Sequence, residues 1–105
     1  MSAQVDVKQG LEIETRLFIG GDFVDAVEGG RIPVTNPHDN SVIAEVAEAR
    51  QADVDRAVDA ARKAFVVWKR VSASERGRLL AKLADAIEAD SENLAYLESL
   101  DTGHP

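Results

Sequence analysis

The stretch DVDRAVDAARKAFVVW, which runs from Asp53 to Trp68, decides how this chain folds. Its apolar residues recur in steps of three and four, the spacing that places them on one face of an α-helix. Charged residues occupy most of the positions between them and can remain in water. The pattern therefore predicts an amphipathic helix that covers another part of a protein. Its apolar face consists of Val54, Ala57, Val58, Ala61, Ala64, Phe65 and Trp68.

The starts of the first two helices differ in their capping residues. Arg50 stands where a side-chain cap is expected. Because Arg has no acceptor, we expect the first helix to lack about 1 kcal/mol of capping free energy. Asp53 and Asp55 still favour this start through the helix dipole. Ser72 and Glu75 have the spacing of a capping box, which predicts the start of a second helix. The apolar face of that helix consists of Leu79, Leu80, Leu83, Ala84 and Ile87.

A third helix is predicted directly after the second. Asp90 and Ser91 are residues of the kind that cap a helix start. Gly103 predicts the helix end, because Gly adopts the left-handed conformation that often follows a last turn. Pro105 would stop any continuation. The apolar residues of this helix are Leu94, Leu97 and Leu100, and the three helices together occupy residues 53–102.

The first half of the chain reads as short strands. Arg16–Ile19 and Phe23–Val27 flank Gly20-Gly21-Asp22, a sequence that suits a tight hairpin turn. Arg31–Thr35 is predicted to be extended, and its proline restricts it to the edge of a sheet. We therefore expect a β-hairpin followed by further short strands.

A turn and one more strand complete the strand region, which spans residues 16–47. Asn36–Asn40 carries the Asn, Pro and Asp residues of a turn. Ser41–Ala47 then alternates between polar and apolar residues, except that Ile43 falls on the polar side. This irregularity predicts that both faces of the strand are partly covered.

Composition limits the classes of function. The 105 residues suit one domain or a part of one, and 45% hydrophobic with 30% charged residues is typical of a globular protein. A net charge of −7 argues against a nucleic-acid or anionic-membrane binder. The absence of cysteine excludes disulfides, thiolate metal sites and cysteine nucleophiles in this chain. Residues 1–15 are polar and predict a disordered tail rather than a signal peptide, so we expect a cytoplasmic protein.

The residues show no active site by themselves. His38 and His104 lie far apart, without ligand spacing around either. Asp53-Val54-Asp55 lacks the glycine and the distal glutamate of a calcium loop, and the Gly-Gly pairs lack the spacing of phosphate-binding loops. No nearby imidazole or lysine is arranged as a base for the hydroxyl residues Ser72, Ser74 and Thr102.

One group of cations allows two interpretations. It could bind an anion or an acidic partner at the junction of the first two helices. Alternatively, its members complement a helix dipole and form surface ion pairs, and we favour this interpretation because charge runs usually face water. The group consists of Arg62, Lys63, Lys69, Arg70, Arg76, Arg78 and Lys82.

The ordered set of motifs resembles the N-terminal segment of the NAD(P)⁺-dependent aldehyde dehydrogenases. LFIGGDFV at 17–24 is similar to the family's "LFINGEW" hairpin, and VTNP at 34–37 resembles its "V-x-NP" turn. The strand at 42–46, the helix at 53–68 and LESLDTG at 97–103 follow in the family's order. The resemblance covers about residues 16–105 and implies the outer part of an α/β cofactor-binding domain.

The resemblance also implies a function for a much longer protein. Family members oxidise an aldehyde to a carboxylic acid with NAD⁺ or NADP⁺, using a cysteine nucleophile and a glutamate, and many are homo-oligomers. Those residues and the nicotinamide-binding loops lie downstream of the matching segment. This chain has no cysteine, so no catalytic or cofactor-binding residue is assigned to it, and it is expected to be inactive by itself and to bind no cofactor. Its expected partner is the remainder of the enzyme chain.

A structural cation site is a further implication of the resemblance. Some family members hold a monovalent cation at the positions that match Val34, Thr35 and Asp101, and oxygen ligands suit a hard cation. Simple packing between a strand end and a helix end is the alternative that we favour. Two departures from the family pattern, His104 in place of the usual Lys and Arg50 in place of a capping Ser or Thr, leave the subfamily open.

Two hypotheses from different classes therefore follow. The chain is either the N-terminal part of an aldehyde dehydrogenase or a stand-alone, non-catalytic module that binds proteins through its apolar helix faces. We favour the first hypothesis because the motifs occur in the family's order.

Overall fold

The computed structural model describes residues 12–103, and its elements follow in the predicted order. Four strands come first, namely β1 (Leu17–Ile19), β2 (Asp22–Val24), β3 (Arg31–Thr35) and β4 (Val42–Ala47). Three helices follow, namely α1 (Gln51–Trp68), α2 (Ala73–Ala89) and α3 (Ser91–Thr102). This arrangement confirms the α/β class with strands before helices. Most of the predicted tail at 1–15, together with His104 and Pro105, lies outside the described residues.

Strands β1 and β2 form the predicted antiparallel hairpin, with Leu17 opposite Val24. Gly20 and Gly21 at the turn have φ angles of 64° and 89°, which favour glycine. The hairpin is shorter than predicted, because the chain leaves the ladder after Val24. The main-chain N–H of Val27 donates to Asp53 instead of to a strand.

Strands β3 and β4 form a second antiparallel pair that contains a β-bulge. Val34 lies opposite Ala44 and Thr35 lies opposite Val42, so Ile43 is the extra residue. Ile43 is 7% exposed and Ala44 is 2% exposed, so β4 is buried at these two positions beside the bulge. The strand begins one residue later than predicted.

The segments beside this pair are held by hydrogen bonds. The main-chain N–H of Ser41 donates to the Asp39 carboxylate at 3.0 Å, which keeps Ser41 in the turn before β4. The main-chain N–H of Ala47 donates to the carbonyl of Thr15 at 2.8 Å, so the chain before β1 lies beside the end of β4.

The helices leave their apolar faces largely open within residues 12–103. Helix α1 starts two residues before the predicted Asp53 and packs against β1, while α2 contacts α3. Phe65 on α1 is 58% exposed and Leu80 on α2 is 59% exposed. The fully buried hydrophobic residues of the described range are Ala26, Ile43 and Ala44. The predicted faces therefore form, but little of this chain covers them.

Candidate functional site

The start of α1 is organised by the carboxylate of Asp53. This side chain is 1% exposed, the lowest value that occurs among the polar residues of the described range. Its Oδ2 accepts from the main-chain N–H of Arg50 at 2.9 Å, and its Oδ1 accepts from that of Val27 at 2.9 Å. The two hydrogen bonds join the helix start to the loop after the first hairpin.

These contacts change the expected capping of α1. Arg50 makes no side-chain cap, as predicted. Asp53 nevertheless supplies the reciprocal half of a capping box, because it satisfies the main-chain N–H of Arg50. The hydrogen bond from Arg50, followed by that from Val27, holds the pKa of Asp53 below its usual value of about 3.8. An acidic residue at the third helical position is the sequence signal for this capping role. No sequence signal indicates the hydrogen bond between Asp53 and Val27.

A cleft of about 360 Å³ lies between the β3–β4 pair and α3. It brings together two of the three residues that the resemblance implies for a cation site, Val34 and Asp101. Thr35 is next to Val34 in β3 but is not part of the lining. The complete lining consists of Ile13, Val34, Ile43, Ala44, Val46, Leu97, Glu98 and Asp101.

The end of α3 lies close to the turn between β3 and β4. Gly103 has a φ angle of 77° and ends α3 as predicted. A Cβ atom on Gly103 would stand 2.9 Å from Cγ of Pro37, which is closer than carbon atoms pack. The left-handed glycine thus allows the end of α3, with Asp101, to lie beside the end of β3.

The donors at this cleft are compatible with a hard cation. Glu98 and Asp101 in the lining carry carboxylates, and Val34 lies in β3 opposite the bulge of β4. The remaining walls are aliphatic, which equally suits plain packing against other side chains. Within residues 12–103 there is no group of three or more His, Cys, Asp or Glu residues that could hold a metal ion.

His38, Ser72 and Glu75, which the sequence analysis considered, form local hydrogen bonds in a turn and at a helix start. His38 lies exposed in the turn after β3, and its main-chain N–H donates to Oδ1 of Asn36 at 2.9 Å. Ser72 caps α2 as predicted by accepting from the main-chain N–H of Glu75 at 3.2 Å. The carboxylate of Glu75 binds Arg78 rather than completing the capping box.

The predicted side-chain cap at Asp90 is wrong. Asp90 occupies the cap position of α3 but makes no side-chain cap hydrogen bond. Its Oδ1 instead accepts from Nδ2 of Asn93 at 2.9 Å. Because α2 runs almost directly into α3, Asp90 also ends α2 and its φ of −109° and ψ of 18° are not the extended conformation of a capping residue.

Most partners of the cationic group agree with surface pairing. Nζ of Lys63 lies 2.9 Å from Asp59, and Nε of Arg78 donates to Glu75 at 2.9 Å. Nζ of Lys69 lies 5.6 Å from the centre of the Phe65 ring, within cation–π range. The pairing with Arg78 lowers the pKa of Glu75. Exposed pairs of this kind contribute little to stability.

No helix within residues 12–103 has the length and apolar character needed to cross a bilayer. The clefts of the described range are lined by carboxylates, cations and aliphatic side chains. A thiol nucleophile is excluded because the chain contains no cysteine.

Comparison with known proteins identifies close relatives. The model of the aldehyde dehydrogenase family matches residues 23–105. Human retinal dehydrogenase 2 is 50% identical over 99 residues, which are 90% of this chain and 19% of that protein.

Solved structures give the same result. PnpE of Pseudomonas sp. WBC-3, in a complex with nicotinamide adenine dinucleotide, matches with 59% identity and a TM-score of 0.85 over 89% of this chain and 19% of its own. An aldehyde dehydrogenase from Bacillus cereus, solved as a G224D mutant, matches with 45% identity and a TM-score of 0.82 over 87% of this chain and 19% of its own. The chain thus spans about a fifth of the length of these relatives, at their N-terminal part.

Proposed function

This chain belongs to the aldehyde dehydrogenase family, and from that premise we propose that it is the N-terminal portion of an enzyme that oxidises an aldehyde to a carboxylic acid with NAD⁺ or NADP⁺. The observation that carries the proposal is the family match over residues 23–105, combined with coverage of only 19% of the relatives. The remaining four-fifths of such an enzyme would supply the reaction centre.

We propose that the 105-residue chain is catalytically incompetent and binds no dinucleotide by itself. Its sequence has no cysteine, so it cannot provide the thiol nucleophile that the family resemblance implies. NAD(P)⁺, when bound to the complete enzyme, would accept hydride from the substrate. The contribution of this chain's own residues is structural: Asp53 fixes the start of α1 and Gly103 fixes the end of α3.

The proposed partner of this chain is the remainder of the same polypeptide. The exposed apolar residues of α1 and α2 are typical of surfaces that pack on another body. We further propose that the complete enzyme is a homo-oligomer in the cytoplasm, which sedimentation and cell fractionation would test. The net charge of −7 supports neither a nucleic-acid nor a membrane partner.

We also propose that the cleft at the end of α3 holds a monovalent cation. Val34 and Thr35 would contribute main-chain oxygens and Asp101 a carboxylate or main-chain oxygen, at the end of β3 that lies opposite the bulge of β4. Such an ion would tie α3 to the strand pair without taking part in the reaction. The aliphatic lining supports the alternative, in which Leu97 and Ile43 simply pack against neighbouring side chains.

The first test is the intact mass of the natural gene product, captured with an antibody raised against residues 53–101. A mass several times 11.3 kDa is expected and would agree with the enzyme proposal. A mass of 11.3 kDa would contradict it. The exposed helix faces would then favour the second candidate function, a non-catalytic module that binds another protein.

A second test uses a chimera. Residues 1–105 replace the matching N-terminal segment of the Bacillus cereus aldehyde dehydrogenase, which is 45% identical to this chain. The chimera is expected to fold and to show the NAD(P)⁺-dependent aldehyde oxidation of its unsubstituted Bacillus cereus parent, whereas the 105-residue chain is not. A chimera that misfolds, or activity in the isolated chain, would count against the proposal.

A further inference from the structure

Arg76, in the first turn of α2, carries a buried donor without an acceptor. Its Nε is inaccessible to solvent and has no hydrogen-bond partner in the part of the chain that the structure describes. An Arg Nε–H is an obligatory donor, and burying it unpaired destabilises a folded protein. Native structures rarely leave such a group unsatisfied, so the missing acceptor needs a source.

The neighbouring cations Arg78 and Lys63 differ from Arg76, because each of them has a carboxylate partner. Arg78, two residues along the same helix, donates to Glu75 at 2.9 Å. Lys63 on α1 lies 2.9 Å from Asp59. Both of these cations are more than half exposed, so water could also serve them. Arg76 is half-buried, and its solvent-inaccessible Nε has no hydrogen-bond acceptor within the described range.

Arg76 also lies at one end of an open apolar stripe. The positions three, four, seven and eleven residues further along α2 share its face of the helix. They are Leu79, Leu80, Leu83 and Ile87, and each is exposed. The face therefore combines aliphatic side chains with a single guanidinium donor at its N-terminal end. A surface of this kind fits a partner that is apolar along most of its length and presents an oxygen acceptor at one end.

We propose that this face of α2 docks on the part of the polypeptide beyond residue 105, and that Nε of Arg76 donates there to a carboxylate or main-chain carbonyl oxygen. The inference rests on the proposed function. The length of the relatives argues for this occupant, because the chain covers only 19% of each of them. An oxygen acceptor matches the charge of the guanidinium, since hydrogen bonds from a cationic donor are the stronger ones.

The test compares three variants in the chimera. Arg76→Lys keeps the charge but removes Nε, and Arg76→Met removes both while keeping an aliphatic stem. Arg62→Met is the matched control, because Arg62 is exposed on α1. Both Arg76 variants are expected to lower the melting temperature by about 2–4 °C or more, whereas the control leaves it within about 1 °C. Equal melting temperatures for all three would overturn the inference.

Measurements on the isolated chain distinguish docking on the rest of the polypeptide from a role of Arg76 within residues 1–105. In the 105-residue chain, Arg76→Met is expected to change neither the helix content, measured by circular dichroism, nor the binding of a hydrophobic dye. A loss of helix content in the isolated chain on Arg76→Met would place the acceptor within this chain and would overturn the inference. A crystal structure in which a second copy of the protein covers α2 would overturn it as well.

A crystal structure of the unsubstituted chimera gives a readout that does not depend on variant folding. An oxygen of the Bacillus cereus part within hydrogen-bond distance of Nε of Arg76 is the expected result. An acceptor from residues 1–105, or solvent, would be the contrary result. If the unsubstituted chimera itself fails to fold, the proposed function fails, and the inference that rests on it falls too. If it folds but the Arg76 variants match it, only the inference fails.

Discussion

Oδ1 of Asp53 accepts a hydrogen bond from the main-chain N–H of Val27 at 2.9 Å, across 26 residues of sequence. The other carboxylate oxygen accepts from Arg50 at the start of the same helix. One buried side chain therefore caps α1 and fixes the loop between the two strand pairs relative to it. A side chain in this position affects the arrangement of the whole segment, because removing it leaves two main-chain donors without a partner.

Asp53→Asn in the chimera is expected to lower the melting temperature by about 2–4 °C. The amide can replace one acceptor oxygen but presents NH₂ to the other donor. Asp85→Asn is the control, because Asp85 is exposed on α2. Equal effects of the two changes, measured by scanning calorimetry, would contradict the role assigned to Asp53.

The contribution of Asp53 should depend on pH in one direction. Its pKa in the folded chain lies below the usual value of about 3.8, so the unfolded chain binds more protons between the two values. The stabilisation is complete above about pH 5 and is lost as the pH falls through 3.8 and below. The difference in urea midpoint between the parent chimera and Asp53→Asn should therefore be constant at neutral pH and shrink in acid. A difference that grew on acidification would refute the assignment.

Two glycine substitutions are expected to have opposite effects. Gly103→Ala forces a Cβ to within 2.9 Å of Pro37 at a φ angle of 77°, and the conformation itself costs about 1–2 kcal/mol. Gly77 lies within α2, and a Cβ atom there would meet no atom of the described residues within 4 Å. Gly77→Ala should therefore raise the free energy of unfolding by about 1 kcal/mol. Thermal melts of the two chimera variants check the signs. An unchanged melting temperature for Gly103→Ala would show that the end of α3 does not contact the turn at Pro37.

The isolated 105-residue chain should expose its helix faces to solvent. Phe65, Leu80 and Ile87 are each about half exposed, so we expect strong binding of a hydrophobic dye and a broad melt. Embedding the same residues in the chimera should abolish the dye binding. A sharp melt without dye binding would favour the stand-alone module.

Asp101→Asn tests the proposed cation. If an ion binds at the cleft, potassium chloride should raise the melting temperature of the parent chimera above that in choline chloride, by mass action on the folded state. The variant should lose most of that difference. Glu92→Gln on the same helix serves as the comparison. If neither salt nor substitution separates the samples, the cleft is a packing contact only.

Local patterns were sufficient for the elements themselves. The three-and-four spacing from Val54 to Trp68 marks one helix face whatever surrounds it, and Gly20-Gly21 permits a tight turn through its own backbone freedom. Strand boundaries were predicted less accurately, because they depend on which acceptor a main-chain N–H finds. Val27 leaves the hairpin to bind Asp53, and Ser41 stays in the turn to bind Asp39.

The sequence by itself determined the order of strands and helices, the apolar face of each helix and the family to which the chain belongs, because these depend on residue type and spacing along the chain. Only the tertiary structure decided which groups meet across long separations. It paired Asp53 with Val27, placed Asp101 beside Val34 and, within residues 12–103, left Nε of Arg76 buried without an acceptor. Such pairings depend on chain closure in three dimensions, and no local periodicity encodes the partner.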